Sequence, residues 1–221
     1  MASITVDVWS DIACPWCYIG KRKFEAGLAQ FADRDDVNVI YHSFELAPDT
    51  PVDFDGSEID FLVQHKGMPA GQGRQMLDQV TEIADEAGLR YNFDAILHTN
   101  TRKAHELLHY AKQQGKQLDM VERLFSAYFS EGRHLGRDEE LAELGANIGL
   151  DRESVQSALA SGKFVNAVDE DIAKARAYGI NGVPFFVIDG RYGVSGAQSP
   201  ETFTSVLERA RDEAKEVTAN G

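Results

Sequence analysis

The sequence predicts an α/β fold in which a long block of helices interrupts a small sheet. Runs of alternating or β-branched residues lie near the two ends of the chain, whereas its middle shows apolar residues at helical spacing. A second observation is the pair Cys14 and Cys17, which stands where the first predicted strand gives way to the first predicted helix. Together they predict a β-α-β unit, a helical block and an α-β-β-α unit.

The first unit is marked by clear strand and helix patterns. Residues 3–9 alternate in polarity, and residues 37–44 are rich in β-branched and aromatic side chains, so both segments are predicted strands. Pro15 suits the first turn of the helix between them, where its missing N–H costs nothing. Apolar residues then recur at helical spacing at Ile19, Phe24, Leu28 and Phe31. Residues 46–51 contain two prolines and predict a linker.

The middle of the chain, from about residue 57 to residue 162, has a helical pattern throughout. Ser57 with Asp60 is typical of a helix N-terminus, and residues 67–71 are predicted to form a loop. Glycines mark the predicted helix ends. The further helices are predicted over residues 75–87, 100–114, 118–130, 138–148 and 151–162.

The strand pattern returns in the last third of the chain. A helix is predicted over residues 164–178, then strands at 185–188 and 192–194, and a last helix from Pro200 to about residue 216, with 217–221 frayed. This order predicts a thioredoxin-like fold with a helical domain inserted after the second strand. The thioredoxin-like domain would comprise residues 1–50 and 163–221, and the inserted domain residues 51–162.

Charge and composition exclude several classes of protein. The 36 acidic and 22 basic residues give a net charge of −14, which opposes binding to nucleic acid or to anionic membranes. No segment approaches the roughly 20 apolar residues of a membrane span. The N-terminus has neither a basic region nor a long apolar run, so we expect a cytoplasmic protein with no membrane or nucleic-acid partner.

Cys14 and Cys17 are the only cysteines in the 221 residues. A C-x-x-C motif at a strand-to-helix junction is typical of a thioredoxin-like redox site, because the helix start offers free N–H groups and a positive dipole end that favour a thiolate. We expect a solvent-side Cys14 to attack and Cys17 to resolve the mixed disulfide. Asp11 is either a proton acceptor for Cys17 or a turn residue. The alternatives are two inert buried cysteines, or half of a zinc site that lacks its other two ligands.

Four neighbouring residues are predicted to shape the substrate site. Pro15 and Trp16 lie between the cysteines and set the number of N–H donors and the apolar cover around the sulfur. Val183 and Pro184 precede the predicted strand at 185–188. A cis proline at this place in a thioredoxin-like fold packs against the C-x-x-C and leaves the preceding backbone free to pair with a substrate. We therefore predict a cis Val183–Pro184 bond, the alternative being an ordinary trans proline that opens a strand.

One motif points to different chemistry. His105, Glu106 and His109 match the H-E-x-x-H pattern, in which two histidines on one helix face bind zinc and the glutamate is the general base. No third ligand is evident, and Lys112 stands where the longer form of the motif has glycine. We interpret the segment as an amphipathic helix and predict no metal site.

Several segments together resemble a known family over nearly the whole chain. The resemblance is to the cytosolic DsbA-like oxidoreductases of the FrnE type. It implies a thioredoxin fold with a DsbA-type helical insertion, thiol–disulfide exchange activity, and no use of zinc by residues 105–109. The matching segments are residues 11–20, 44–48, 100–105, 124–129, 179–186 and 195–198.

The resemblance also implies the partners. Protein thiols and disulfides, or glutathione as a co-substrate, would react with the redox-active disulfide Cys14–Cys17. No other cofactor is expected, and the protein would be a monomer or a homodimer. The alternative is a glutathione-dependent isomerase or transferase, related to 2-hydroxychromene-2-carboxylate isomerases and kappa-class glutathione transferases, in which Cys14 would hold glutathione. Those relatives typically carry serine where Cys14 stands, so the presence of both Cys14 and Cys17 favours redox chemistry.

Overall fold

A computed structural model describes residues 4–219, and within that range the predicted order of elements is confirmed. Ser3, predicted as the first strand residue, and residues 220–221, predicted as frayed, lie outside it. The strands are β1 (Ile4–Ser10), β2 (Val37–Ser43), β3 (Phe185–Ile188) and β4 (Tyr192–Ser195). The helices are α1 (Pro15–Gln30), α2 (Glu58–Lys66), α3 (Ala70–Glu86), α4 (Arg102–Gln113), α5 (Gln117–Phe129), α6 (Asp138–Asn147), α7 (Arg152–Ala160), α8 (Val165–Ala177) and α9 (Pro200–Ala219).

The four strands form one mixed sheet with the order β2-β1-β3-β4. β1 and β2 are parallel, as expected for strands joined through a helix, and the β1–β3 and β3–β4 pairs are antiparallel. Successive side chains of a strand point to opposite faces. Val8 and its cross-strand partner Phe186 therefore belong to the main core, while Trp9 and Val187 form a smaller cluster on the other face.

Helices cover both faces of the sheet. On the main-core face, Phe24 of α1, Phe186 of β3 and Phe203 of α9 pack with ring centroids 4.7–5.5 Å apart. On the other face, Ala175 of α8 packs beside Trp9. Because α1 packs against both α9 and this face of the sheet, the cysteines at its start belong to a closely packed part of the molecule.

The helical block is joined closely to the rest of the molecule. The Gln117 side chain at the start of α5 accepts from the Tyr41 N–H and donates to the Tyr41 carbonyl, so α5 pairs with the edge of β2. Tyr18 of α1 stacks on Phe125 of α5 with a centroid distance of 4.9 Å. The buried core is continuous across these contacts, and the division into residues 1–50 with 163–221 and residues 51–162 stays a prediction.

Helix starts agree with several predictions and correct one. Ser57 and Asp60 form a reciprocal capping box at α2, as the sequence indicated. The Asn100 side chain accepts from the Arg102 N–H at 2.9 Å, although the α4 N-cap position itself is Thr101. The predicted loop at residues 67–71 is wrong in its second half, because α3 already begins at Ala70.

Two further differences concern α3 and the last helix. Glycines in the first turn of α3 lower its helix propensity, but Leu77 and Val80 are buried and hold the helix on the core. The backbone of α9 is helical to Ala219 rather than to residue 216, so the predicted fraying is wrong for residues 217–219. Within residues 4–219, no helix is long and apolar enough to cross a membrane.

Candidate active site

Cys14 occupies the N-cap position of α1, directly after the turn that follows β1. Its backbone N–H donates to the Asp11 carbonyl at 3.1 Å, and its own carbonyl accepts from the Cys17 N–H at 3.0 Å. The Cys14 thiol donates a long hydrogen bond to the Val183 carbonyl, with an Sγ–O distance of 3.6 Å. Only 4% of the residue is exposed, so Cys14 is more enclosed than the solvent-side position that the sequence predicted.

Cys17 lies one turn further along α1 and is also buried, with 2% exposed. Burial raises the pKa of the Cys17 thiol well above its usual range, and the neighbouring Cys14 sulfur raises it further. The Ser10 hydroxyl and the backbone at Asp11 act in the opposite direction without offsetting burial. Cys17 is therefore held as a neutral thiol when the pair is reduced.

The Val183–Pro184 peptide bond is cis, which confirms the prediction for this bond. Pro184 lies against α1 on the side of the helix that carries Gly20. A Cβ atom at Gly20 would lie only 2.9 Å from Pro184 Cγ, so the helix and the proline ring are in close contact because residue 20 has no side chain. This contact brings Gly20 and Pro184, which are 164 positions apart in the chain, to the same site.

Asp11 is buried below the cysteines and is well supplied with hydrogen bonds. Its carboxylate accepts from the Leu46 N–H at 2.7 Å and lies 3.4 Å from His105 Nε2. Burial by itself raises the pKa of Asp11, but the His105 and Leu46 contacts outweigh it, and the pKa lies below its usual range. Because its pKa is lowered, the Asp11 carboxylate is a weak base, and its contacts with the turn and with α4 fit the turn role better than that of a proton acceptor for Cys17.

Tyr91 and Trp16 complete the surroundings of the cysteines. The Tyr91 hydroxyl donates to the Pro15 carbonyl at 2.7 Å, so a residue between α3 and α4 fixes the first turn of α1. Burial raises the pKa of Tyr91, and the nearby Cys14 sulfur adds to this effect. Trp16 is 41% exposed and presents a large apolar surface beside the cysteines. The Tyr91 contact was not foreseen, because nothing local in the sequence links residue 91 to residue 15.

The H-E-x-x-H residues lie on α4 but meet different partners. His105 faces Asp11, whereas His109 Nε2 lies 3.1 Å from a carboxylate oxygen of Asp171. Glu106 is 3.5 Å from Lys103, and burial raises the pKa of this carboxyl. Within residues 4–219, no group of three or more such side chains is placed to hold a metal ion. These residues lie within α4, so the predicted helix is confirmed, and the absence of a metal site stays a prediction.

A second buried polar cluster was missed by sequence reasoning. His42 of β2 hydrogen-bonds to Asp171 through Nδ1 and to Asp7 through Nε2, both at 2.6 Å. Its ring stacks on Trp9 with a centroid distance of 4.5 Å. These residues come from β1, β2 and α8, so only the folded chain brings them together.

The structure gathers all six predicted site residues at one end of α1. Cys14, Pro15, Trp16 and Cys17 form its start, and Val183 lies against Cys14. Pro184 lies against the same helix through Gly20.

Known proteins share this architecture. The family model of the DSBA-like thioredoxin domain matches residues 5–208. The chain belongs to this family. A probable DsbA oxidoreductase from Streptomyces coelicolor is 40% identical in sequence, with a TM-score of 0.90 over 95% of this chain and 91% of that chain. The predicted fold and the predicted class of enzyme, a thiol–disulfide oxidoreductase, are confirmed.

More distant structures share the fold alone. The cytosolic disulfide reductase DsbM from Pseudomonas aeruginosa is 20% identical, with a TM-score of 0.63 over 93% of this chain and 97% of that one. A 2-hydroxychromene-2-carboxylate isomerase is 19% identical, with a TM-score of 0.68 over 98% of each chain. One architecture therefore accommodates both chemistries, and the site residues must distinguish between them.

Proposed function

We propose that this DsbA-family protein is a cytosolic thiol–disulfide oxidoreductase of the FrnE type, acting on protein or small-thiol substrates. The observation that carries the proposal is the placement of Cys14 at the α1 N-cap against Val183, with the protonated Cys17 one turn behind it. The disulfide reductase DsbM, which is cytosolic and has the same fold, supports the compartment.

The exchange proceeds in two balanced steps. The Cys14 thiolate attacks one sulfur of a substrate disulfide, a Cys14–substrate bond forms, and the second substrate sulfur leaves as a thiolate. The Cys17 thiol then gives up its proton and attacks Cys14 Sγ, the first substrate sulfur leaves and takes up a proton, and the Cys14–Cys17 disulfide forms. The substrate gains two electrons and the enzyme loses them; the reverse sequence oxidises a dithiol.

The remaining site residues have positioning roles in this proposal. The Val183 backbone beside Cys14 would pair with an extended substrate, and Pro184 would hold that segment against α1. Trp16 offers apolar contact area, and Pro15 removes one N–H donor from the helix start. Each role concerns binding and orientation, whereas the sulfur chemistry belongs to the two cysteines.

The test uses three proteins: wild type, Cys14→Ser and Cys17→Ser. Wild type should reduce insulin with a thiol co-reductant, Cys14→Ser should lose this activity, and Cys17→Ser should accumulate a mixed disulfide visible by mass spectrometry. Full activity of Cys14→Ser would contradict the proposal. Tight calorimetric binding of glutathione, with activity retained by Cys17→Ser, would indicate the glutathione-dependent isomerase or transferase instead.

A further inference from the structure

A buried hydroxyl without a partner lies at the end of β1, just before the turn that leads to the cysteines. Ser10 is the last residue of this strand and is 4% exposed, and its Oγ has no hydrogen-bond partner within residues 4–219. Its backbone is fixed in place, because the Ser10 carbonyl accepts from the Phe44 N–H at 3.1 Å. Burying an unpaired hydroxyl is unfavourable, so this group does not stabilise the resting protein.

The strand directs the Ser10 hydroxyl toward α1. Side chains two residues apart in a strand point to the same face, so Ser10 shares a face with Val8, which belongs to the main core. Cys17 belongs to the same core and is 2% exposed. Burial raises the pKa of the Cys17 thiol well above its usual range, whereas the Ser10 hydroxyl and the backbone at Asp11 act against this rise. Both groups therefore lie close to the Cys17 sulfur.

The ionisable side chains that face Cys17 offer its sulfur no positive charge. Burial raises the pKa of Tyr41 on β2 and of Tyr91, between α3 and α4, and the Cys17 sulfur adds to both effects, so the two phenols stay neutral. During the resolving step Cys14 is bonded to the substrate sulfur and carries no charge. The Asp11 carboxylate is an acceptor that already holds the hydrogen bonds described above. A negative charge on Cys17 therefore depends on neutral hydrogen-bond donors.

We infer that the Ser10 hydroxyl is a hydrogen-bond donor to the Cys17 thiolate in the resolving step. The inference rests on the proposed function and gives a role in it to a residue outside the C-x-x-C motif. The neutral Cys17 thiol leaves the hydroxyl without a partner, and the thiolate supplies the missing acceptor. Because the hydrogen bond forms only as the negative charge develops, it favours the transition state over the resting protein.

The hydroxyl keeps its own proton throughout the step. Cys17 gives up its proton, and the resulting thiolate accepts a hydrogen bond from Ser10. The thiolate attacks Cys14 Sγ, the bond between Cys14 and the substrate breaks, and the substrate sulfur leaves with the electron pair and takes up a proton. In the reverse direction, a thiolate attacks Cys14 Sγ of the disulfide, and the same hydrogen bond stabilises the Cys17 sulfur as it leaves.

The two steps can be measured separately with 5,5′-dithiobis(2-nitrobenzoate), an aromatic disulfide that releases a coloured thiolate in each. Attack by Cys14 on the reagent releases the first thiolate at a rate proportional to the reagent concentration. Attack by Cys17 on Cys14 Sγ releases the second thiolate at a rate independent of that concentration, and the Cys17 proton passes to the buffer. Stopped-flow absorbance between about pH 6 and pH 9 should be recorded for wild type, Ser10→Ala and Ser43→Ala.

Ser10→Ala should slow the second release about 3- to 10-fold and change the first release by less than about 2-fold. A hydrogen bond to a charged group corresponds to a factor of about 10–100 in the ionisation constant of the thiol, and the higher nucleophilicity of the more basic thiolate returns roughly half of it on a logarithmic scale. Since the second rate rises with the thiolate fraction, the variant should reach any given rate at a pH about 0.5–1 higher than wild type.

Ser43→Ala is the matched control, because it removes a buried hydroxyl from the residue of β2 that pairs with Ser10. The Ser43 hydroxyl has a partner, His109 Nε2 at 3.2 Å, so its loss should lower the free energy of unfolding and leave both release rates unchanged. Ser10→Ala removes an unpaired hydroxyl and should leave the free energy of unfolding of the reduced protein unchanged or raise it. These opposite patterns separate a role in the reaction from a role in folding.

Two results would overturn the inference while leaving the proposed function in place. They are a second release in Ser10→Ala within about 2-fold of wild type at every pH, and an equal slowing of both releases in this variant. Release of a single thiolate by the wild-type protein, or an unchanged first release in Cys14→Ser, would contradict the proposed function, and the inference with it.

Discussion

Asp171 is the residue at which four parts of the chain meet. Its carboxylate accepts from His42 Nδ1 at 2.6 Å and from the Ser43 N–H at 2.9 Å, and it lies 3.1 Å from His109 Nε2. Its backbone carbonyl accepts from the Trp9 indole at 3.1 Å. Burial alone raises the pKa of Asp171, but these contacts dominate and hold the pKa well below its usual range. Asp171 therefore joins α8 to β1, β2 and α4 as a buried anion.

Asp171→Asn should destabilise the protein by about 3–5 kcal/mol at pH 7, because it removes the charge from a buried pair. Since the pKa of Asp171 is depressed in the folded state, its contribution is present above the ordinary pKa of 3.8 and is lost as pH falls below it. Urea unfolding at pH 7 and pH 3 should show the difference from wild type shrinking at the lower pH.

The matched control for this measurement is Glu170→Gln, the exposed preceding residue on α8. It should change the free energy of unfolding by less than about 0.5 kcal/mol. If Asp171→Asn lowered the free energy of unfolding by as little as this control, the buried contacts of Asp171 would contribute no net stability.

At the scale of elements, α1 is positioned by two glycines seven residues apart, which lie on one side of the helix. Gly20 allows the close approach of Pro184 described above. Gly27 allows α9 to approach, because a Cβ atom there would lie 2.5 Å from the Pro200 carbonyl oxygen and 2.9 Å from Phe203 Cβ. The helix that carries the cysteines is thus held by two close contacts, with Pro184 at Gly20 and with α9 at Gly27.

Gly27→Ala should destabilise the protein by about 1–3 kcal/mol, despite the better helix propensity of alanine, because the added methyl group meets backbone that cannot move aside freely. Gly71→Ala in α3 is the control, since a Cβ atom there has open space and should stabilise by up to about 1 kcal/mol. Thermal or urea unfolding measures both. Equal effects of the two changes on the free energy of unfolding would show that α1 and α9 are packed less tightly than the contacts at Gly27 indicate.

For the whole molecule, ion pairs connect the helical block to the helix of the active site. Glu122 of α5 pairs with Arg22 and with Lys21 of α1, the latter at 2.6 Å, and accepts from the Tyr18 hydroxyl at 2.7 Å. Burial raises the pKa of Glu122, but the Arg22, Lys21 and Tyr18 contacts prevail and lower it to about 2. The stabilising connection between α1 and α5 therefore depends on pH.

Acid should weaken this connection in a defined range. Because the pKa of Glu122 is lowered from 4.5 to about 2 by folding, its stabilisation is complete above about pH 4.5 and is lost as pH falls toward 2. The free energy of unfolding of Glu122→Gln should thus differ from wild type more at pH 6 than at pH 3. Glu82→Gln, at an exposed position of α3, is the control and should show no such change. A pH-independent difference for Glu122→Gln would exclude this coupling.

Much of the fold was predictable because its signals are local. Alternation over residues 3–9, the proline at the start of α1 and the glycines at the helix ends each act within a few residues, so they identified elements in the right order. The start of α3 at Ala70 was predicted as a loop for the opposite reason, because the burial of Leu77 and Val80 overrides the weak local helix propensity. The predicted site residues were found for the same reason: Cys14 and Cys17 share one turn, and the Val183–Pro184 dipeptide has its own pattern.

By itself, the sequence determined the redox pair, the order of the elements and the family, because each of these is encoded in short contiguous segments. Only the tertiary structure decided what surrounds the pair. The Tyr91 bond to Pro15, the Asp11 contact with His105 and the Gly20 contact with Pro184 each join segments more than 30 residues apart, and no periodicity or motif specifies such pairings. Burial is likewise a property of the folded chain, and it is burial that keeps Cys17 protonated behind Cys14.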